Sequence, residues 1–296
     1  WEPRLSGSNN ELWLKSLSSA PKEAELMPLY PGDFVGTDRY QIISRIGVGG
    51  QGTAYLAKDC SQNQNIVLKE TLFPVYVDAE VRAKAEARYK NEVAMLARLD
   101  NPHVVRMLDS FVDEHRGYLV LEYIDGLSLR QLVKKEGALA DTKVIELAIE
   151  MANILKYIHE LSPPLVHRDF TPENLLLEKD GRLVLIDFNV ARQVESTKTA
   201  TVVGKHAYIP PEQFRGDADA RSDIYAFGAT LFFLLCAEDP EPISQSFPAA
   251  QNLGINSQLN ELVGRATALD MSERYASAEE VLLALNSIKE AGLIES

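Results

Sequence analysis

The sequence predicts an α+β fold with two lobes, a small antiparallel β lobe with one main helix and a larger helical lobe. Three observations lead to this prediction. Short β-branched or alternating apolar runs dominate from Tyr40 to about Phe111, and long helical periodicity dominates after Asp125-Gly126. The length of 296 residues fits two globular units or one large two-lobed unit at about 150 residues per domain. The expected division is an N-terminal arm over 1–36, a first lobe over 37–124 and a second lobe over 125–296.

Composition and charge exclude several classes of protein. With 46% hydrophobic and 25% charged residues, the chain is too apolar for disorder and too polar for a membrane channel. The longest strongly apolar stretch, 226–237, is too short to span a bilayer. A formal net charge of −13 disfavours general affinity for nucleic acid or anionic lipid, so any phosphate-binding site must be local.

Cysteine usage and the start of the chain bear on its location. The two cysteines, Cys60 and Cys236, are too few for a disulfide framework or a metal cluster, and no secretory signal opens the chain. We therefore expect a reducing, cytoplasmic compartment. The chain does not begin with Met, which is consistent with a domain cut from a longer protein whose flanks could hold an anchor or a sensor.

In the first lobe, five short apolar runs predict strands and one longer amphipathic run predicts a helix. The strands are expected over 40–46, 53–57, 66–69, 105–111 and 118–123, and the helix over 79–98. Five helix residues are spaced to share one face, namely Val81, Ala85, Tyr89, Val93 and Leu96. Residues 1–36 are predicted to form an extended arm that packs on the body through Trp13.

In the second lobe, helical periodicity predicts five helices, over 128–135, 141–161, 221–237, 258–268 and 277–288. Ser277 and Glu280 have the spacing of a capping box at the start of the last helix.

A glycine-rich turn joins the first two predicted strands, at Gly47, Gly49 and Gly52. Its position between two strands argues against a dinucleotide-binding turn, which would open a helix. Glycines let the backbone of such a flap lie close to phosphates, with its amides as donors. A turn without a chemical role is the alternative interpretation.

Lys69 ends an otherwise apolar strand, where a buried ammonium group is costly unless it is paired. Glu92, in the middle of the predicted helix, is the expected partner. The alternative is that both residues lie on the surface.

Three polar residues lie near two apolar runs of the second lobe and have the chemistry of a metal and substrate site. Asp169 and Asn174 lie in one polar loop, and Asp187 ends the next strand. Two of the three could hold a divalent cation through oxygen ligands while the third orients a hydroxyl group. Phosphoryl transfer needs this layout, because its catalysis consists mainly of positioning and charge neutralisation.

These motifs, taken together, resemble the eukaryotic-type protein kinases, and specifically the bacterial Ser/Thr kinases, over about residues 33–290. The glycine flap, Lys69 and Glu92 are followed in order by a hinge at 122–124, His167-Arg168-Asp169, Asn174 and Asp187-Phe188. Pro210-Pro211-Glu212, Asp223-x-x-x-x-Gly228 and a late arginine, Arg274, complete the match, and Arg274 is expected to pair with Glu212. The resemblance implies the two-lobed kinase fold.

The resemblance also implies roles for individual residues in binding ATP and Mg²⁺, which Mn²⁺ could replace. Lys69 would contact the α- and β-phosphates and be held by Glu92, Asp187 and Asn174 would bind the metal, and Asp169 would orient the substrate hydroxyl. The remaining nucleotide contacts would come from Gly47, Gly49, Gly52, Ala54, Val67, Leu121 as gatekeeper, Glu122 and Ile124. Leu96, His167, Phe188 and Asp223 would form a stacked spine between the lobes.

Departures from the family pattern occur in two pairs and two single positions. Thr171 stands where the family usually has Lys, and Lys205 where it usually has Thr, so Lys205 is expected to supply the displaced positive charge to the γ-phosphate. The alternative is that Lys205 is a solvated loop residue and the site is weakened. Ala54 stands where the family usually has Val, and Val67 stands where it usually has Ala. Because one residue is smaller and the other larger, the volume of the adenine pocket should be preserved. Asn189 replaces a glycine and Pro210 an alanine.

The sequence also suggests a regulatory site. Arg168 and Arg192 offer a cationic pocket that an activation-loop phosphate could neutralise. Thr197 and Thr199 match the spacing of phosphorylated threonines in the bacterial family, and Ser196 and Thr201 lie nearby. The alternative is an exposed loop rich in hydroxyl groups.

We therefore expect an ATP-dependent kinase that phosphorylates Ser or Thr hydroxyls of proteins, including its own through self-association. One alternative is a pseudokinase or ATP-binding scaffold with little transfer, suggested by Thr171, Asn189 and Lys205. A second alternative is a small-molecule kinase of the same fold, against which Glu212, Asp223 and Arg274 argue.

Overall fold

The first lobe is built on a six-stranded antiparallel sheet. The computed structural model describes residues 27–49, 52–73, 79–113, 115–188, 205–251 and 254–294. The strands are β1 (Phe34–Val35), β2 (Tyr40–Gly49), β3 (Gly52–Asp59), β4 (Gln64–Leu72), β5 (Met107–Asp113) and β6 (Arg116–Glu122), in the spatial order β1-β2-β3-β4-β6-β5. Helix α1 (Ala79–Leu96) connects β4 to β5. Chain neighbours pair as hairpins, which explains why local sequence patterns predicted five of the six strands.

Alternation of side chains gives this sheet two apolar faces. On the inner face, α1 joins the large core shared with the second lobe through Tyr89 and Leu96. On the outer face, a separate core forms around Tyr40, Tyr55 and Tyr118. Both faces are therefore covered, which makes the sheet a rigid support for the residues between the lobes.

The segment just before β1 closes the outer core. The amide of Leu29 donates to the Tyr55 hydroxyl at 3.1 Å, and Arg116 Nη2 donates to the carbonyl of Met27 at 2.8 Å. Leu29 itself packs on the outer core. Trp13, through which the arm is predicted to pack, lies outside the described residues.

The second lobe is helical and surrounds one buried helix. Its helices are α2 (Leu129–Glu136), α3 (Asp141–His159), α4 (Ala220–Cys236), α5 (Ser257–Ala266) and α6 (Ala278–Ile294). Helix α4 is buried at every position from Ser222 to Leu235, as expected for a helix that is apolar on all sides. A small sheet of β7 (Gly126–Ser128), β8 (Leu175–Glu178) and β9 (Leu183–Leu185) lies where the lobes meet.

The predicted elements are confirmed, with corrections at their ends and on one face. Helix α3 ends at His159 and not at 161, and α6 continues to Ile294. Of the residues spaced to share one face of α1, Tyr89 and Leu96 are buried, whereas Val81 in the first turn is exposed. Among the described residues, no helix is long and apolar enough to cross a membrane.

The predicted capping box at the start of α6 forms only in part. The hydroxyl of Ser277 accepts from the amide of Glu280, as expected, at 3.3 Å. The Glu280 carboxylate accepts from the amide of Ala276, one residue earlier than a capping box requires. A complete capping box occurs instead at α2, between Ser128 and Gln131.

Candidate active site

Lys69 lies between two carboxylates at the inner face of the sheet. Strand β4 presents Lys69, α1 presents Glu92, and Asp187 follows β9. Lys69 Nζ is 2.9 Å from Glu92 Oε1 and 2.9 Å from Asp187 Oδ1. Burial lowers the pKa of Lys69, but the charges of Asp187 and Glu92 outweigh burial, and the net pKa lies above its ordinary value. The side chain is therefore a fixed cation in the cleft, and Glu92 is the predicted partner.

The loop after α3 brings Asp169 and Asn174 together. Asn174 Nδ2 donates to the Asp169 carbonyl at 2.8 Å and to Asp169 Oδ2 at 3.2 Å. Thr171 belongs to the same turn, since its amide donates to the Asp169 carbonyl at 2.9 Å. All three side chains are buried. Thr171 Oγ1 has no hydrogen-bond partner within the described part of the chain.

Asp223 is fully buried in the first turn of α4 and binds the main chain of this loop. Its carboxylate accepts from the amides of His167 and Arg168, at 2.8 and 2.7 Å, and contacts His159 Nε2 at 2.9 Å. Arg168 has a φ of 65°, a left-handed conformation that is strained for a residue with a Cβ. The two charge-assisted bonds to Asp223 offset part of that strain.

Three of the four predicted spine residues contact one another, and the fourth, Leu96, belongs to the same buried core. The rings of His167 and Phe188 meet edge to face with centroids 5.0 Å apart. Phe188 and Leu96 belong to the same buried core, and Asp223 bonds to the main chain of His167. These contacts connect Phe188 to α4, and the shared core includes Leu96 of α1.

Among the three flap glycines, Gly47 and Gly52 differ in the space around their Cα atoms. Gly47 lies opposite Ala54, and Gly49 lies opposite Gly52. At Gly52 φ is +137°, and an added Cβ would lie 1.7 Å from the Glu70 carbonyl oxygen, so no side chain fits there. At Gly47 the nearest atom to an added Cβ would be 3.8 Å away. The protein itself therefore leaves space beside Gly47.

The residues predicted to contact adenine share the inner face with Lys69. Ala54 is directly across from Lys69, and Val67 is directly across from Leu121. Directly opposite side chains of an antiparallel pair point to the same face. The hinge that follows is held by Glu122, which donates through its amide to the Arg106 carbonyl and accepts from the Arg106 amide.

Glu212 and Arg274 form the predicted ion pair, and both are buried. Arg274 Nη1 and Nη2 bond to the two Glu212 oxygens at 2.6 and 3.0 Å. Ser222 also donates to Glu212. Burial raises the pKa of Glu212, but the guanidinium and the hydroxyl outweigh it and hold the pKa below its ordinary value. The pair fixes the 3₁₀ helix Pro211–Arg215 to the second lobe.

Three features near the site were not predicted from the sequence. Gln213 Nε2 donates to the Arg168 carbonyl at 2.9 Å. Arg130 bonds to Glu173, Asp239 and Tyr208. Glu70, the residue after Lys69, forms a buried ion pair with Arg116 on the opposite face of the sheet. Only the last had a sequence signal, because charged residues at alternate strand positions that face a core require partners.

Several residues of interest lie outside the described part of the chain. These are Asn189, Arg192, Ser196, Thr197, Thr199 and Thr201. The main chain of Lys205 begins the 3₁₀ helix Lys205–Tyr208, but its side chain is also outside the description.

The two-lobed fold and its site together define a class of protein. A half-buried Lys-Glu pair, an Asp-Asn loop and a further Asp meet between a β lobe and a helical lobe, which is the arrangement of phosphotransferases that act on nucleotide phosphates.

Comparison with known proteins gives the family. The model of the protein kinase domain matches residues 40–283, and the chain belongs to that family. It is 32% identical to the probable serine/threonine-protein kinase PknB of Lactococcus lactis over 83% of this chain and 41% of that protein. It is 35% identical to the serine/threonine-protein kinase B of Synechocystis over 83% of this chain and 46% of that protein. The chain thus spans less than half the length of these curated relatives.

Solved structures support the same fold. The crystal structure of the Mycobacterium tuberculosis PknI kinase domain aligns with a TM-score of 0.68 and 25% identity, over 88% of this chain and 99% of that one. The predicted α+β, two-lobed kinase fold is therefore confirmed.

Proposed function

We propose that this chain is an ATP-dependent protein kinase that phosphorylates Ser and Thr hydroxyls, including its own. The observation that carries the proposal is the position of Lys69 Nζ, 2.9 Å from both Glu92 and Asp187. The segment of Asp187 is joined to the buried Asp169-Asn174 pair, because the amide of Ile186 donates to the Asn174 carbonyl at 2.9 Å. These groups come from both lobes, so a ligand that fills the cleft would contact both. The names of the relatives support Ser/Thr specificity.

The residues present fit a magnesium-bound triphosphate. Asn174 uses Nδ2 toward Asp169, which leaves its Oδ1 as the atom that can bind a cation, and Asp187 offers a carboxylate. Among the described residues, no group of three or more His, Cys, Asp or Glu could hold a metal ion by itself. Mg²⁺ sites of this type use one or two protein oxygens together with phosphate oxygens and water. Mg²⁺, or Mn²⁺ in its place, would neutralise phosphate charge.

The protein groups then have separate tasks. Lys69 would bind phosphate oxygens while Glu92 keeps its ammonium in place, and Asp187 and Asn174 would hold the metal. Asp169 would accept and orient the hydroxyl proton of the substrate. The hinge main chain at Glu122 and Ile124 would bind adenine, between Ala54, Val67 and Leu121, under the flap of Gly47, Gly49 and Gly52. Charge placement of this kind, and not a covalent intermediate, would supply the rate enhancement.

We propose that Lys205 and Thr171 supply the ammonium group and the hydroxyl group that a lysine and a threonine, at exchanged positions, usually supply beside the γ-phosphate in this family. The Thr171 hydroxyl is buried beside Asp169 without a hydrogen-bond partner in the described part of the chain. Such a hydroxyl is costly unless a ligand or a side chain satisfies it. Lys205 would supply the positive charge at the γ-phosphate, and Lys205→Ala should lower the turnover number at least tenfold. Activity close to that of the parent would remove this assignment.

Regulation by phosphorylation is proposed for the segment after Asn189. Phosphate on Thr197 or Thr199 would pair with Arg168 and Arg192 and so order the segment. Autophosphorylation between two copies of the chain would add this phosphate to Thr197 or Thr199. Protein substrates and a cytoplasmic location complete the proposal, and the acidic balance of the chain argues against nucleic acid as a partner.

The test is incubation with labelled ATP and Mg²⁺, with dephosphorylated casein as an added substrate. We expect label in the chain and in casein, and we expect Asp169→Asn to abolish both. Asp113→Asn, an exposed residue at the end of β5, is the matched control and should retain activity. Nucleotide binding without transfer by the parent would favour a pseudokinase. Label on small hydroxyl compounds but not on protein would favour a small-molecule kinase.

A further inference from the structure

The peptide bond between Arg168 and Asp169, and the peptide bond before it, are held by Gln213 and Asp223, two residues outside the catalytic loop. Gln213 Nε2 donates to the Arg168 carbonyl at 2.9 Å, and Asp223 Oδ1 accepts from the Arg168 amide at 2.7 Å. On the far side of the peptide, the Asp169 amide donates to His167 Nδ1 at 3.3 Å. Both polar groups of this peptide therefore have fixed directions.

This fixation matters because Arg168 has a strained conformation. Its φ of 65° is uncommon for a residue other than glycine, and such residues keep it only when their surroundings enforce it. Asp223 restrains the amide side, and Gln213 restrains the carbonyl side. Rotation of the peptide plane would change the direction in which the Asp169 side chain leaves the main chain.

Gln213 is itself placed by a rigid anchor. It lies in the 3₁₀ helix Pro211–Arg215, directly after Glu212. Arg274 binds both carboxylate oxygens of Glu212, and Ser222 adds a third bond. The side chain of Gln213 thus connects a buried ion pair to the peptide beside Asp169.

We propose that Gln213 is a positioning residue for Asp169, acting through the Arg168-Asp169 peptide. Gln213 also couples the loop of Asp169 to the 3₁₀ helix Pro211–Arg215, because Asp169 is aligned only when this helix is packed on the second lobe. The kinetic part of this proposal rests on the proposed kinase activity.

The test compares Gln213→Leu, which removes the donor but keeps the size, with Gln245→Leu. Gln245 is a matched control, because its Nε2 also donates to a main-chain carbonyl, that of Gly264, at 2.9 Å. In single-turnover experiments, Gln213→Leu should slow phosphoryl transfer about tenfold, as expected for the loss of a hydrogen bond to a strained loop. The KM for ATP should change less than twofold, and Gln245→Leu should match the parent in both.

A second readout does not depend on activity. Hydrogen exchange of the amides in 167–170 should become faster in Gln213→Leu and remain unchanged in Gln245→Leu. Transfer within twofold of the parent, an equal loss in both variants, or unchanged exchange would each overturn the proposal. If the parent transfers no phosphate, the proposed function fails, and the exchange measurement alone decides whether Gln213 holds the loop.

Discussion

Removing the guanidinium of Arg274 should destabilise the second lobe strongly, and the size of the effect follows from its contacts. Arg274 bonds to both oxygens of Glu212 and also to the carbonyls of Ala268, Arg221 and Leu269. Arg274→Met keeps the length of the side chain but leaves the Glu212 carboxylate, only 7% exposed, without a cation. Breaking a buried pair in this way costs about 3–5 kcal/mol, which corresponds to a fall in Tm of about 5–8 °C for a chain of this length.

The pH dependence provides an independent check. The pKa of Glu212 is below its ordinary value in the folded state, so the pair stabilises the fold above about pH 4.5 and loses this contribution as pH falls. In Arg274→Met the cation that lowers this pKa is absent. The difference in unfolding free energy between parent and variant should therefore be largest near neutral pH and shrink in acid.

The measurement is thermal and urea unfolding followed by circular dichroism, at neutral pH and at several values down to pH 4. Glu212→Gln and the double variant complete a double-mutant cycle, and the double variant should lose less than the sum of the singles, by about 1–3 kcal/mol. A fall in Tm below about 2 °C for Arg274→Met, or a difference that stays constant with pH, would refute the assignment of stability to this pair.

Further predictions concern the cleft and the segment outside the described residues. Gly52→Ala should lower Tm by several degrees, because its Cβ would overlap a carbonyl oxygen of β4. Gly47→Ala should leave Tm unchanged and raise only the KM for ATP. Equal melting temperatures of the two variants would contradict this prediction. Val67→Ala should weaken ATP binding about three- to tenfold, measured by calorimetry, because it opens a void in a filled pocket, and tighter binding would contradict the volume-exchange argument. Mass spectrometry of active protein should find phosphate on Thr197 or Thr199, and unphosphorylated active protein would exclude the switch.

Much of the fold was predictable because its signals are local. Hairpin strands and amphipathic helices are encoded in short windows, and the structure confirms them with shifts of a few residues at their ends. The exposure of Val81 could not be predicted, because spacing identifies a helix face but not which of its residues are covered. Of the short strands β7 to β9, the sequence predicted β9, and this strand ends at Leu185, two residues before Asp187. Strands β7 and β8 have only three and four residues, which is too short for a periodic signal.

The site was predictable to the extent that its residues belong to recurring motifs. Lys69 and Glu92 are 23 positions apart, and they were paired because a lysine on an apolar strand needs a carboxylate and Glu92 lies on the nearby helix, an expectation that the family pattern then repeated. Gln213 shows the opposite case, because its role depends on a left-handed backbone conformation at Arg168, 45 positions away. No residue type at position 168 reports that conformation, so the sequence alone does not reveal what Gln213 does.

The segment that precedes β1 has a practical consequence for preparing the catalytic unit. The family match begins at residue 40, but two main-chain groups before it bind side chains of the sheet. The Met27 carbonyl accepts from Arg116, and the Leu29 amide donates to the Tyr55 hydroxyl. A fragment trimmed to residue 40 would expose an aromatic surface to water and would remove one acceptor of the Arg116 guanidinium, which would keep its ion pair with Glu70. Expression of the isolated unit should therefore start upstream of Met27, or the trimmed protein would tend to precipitate through its newly bared sheet.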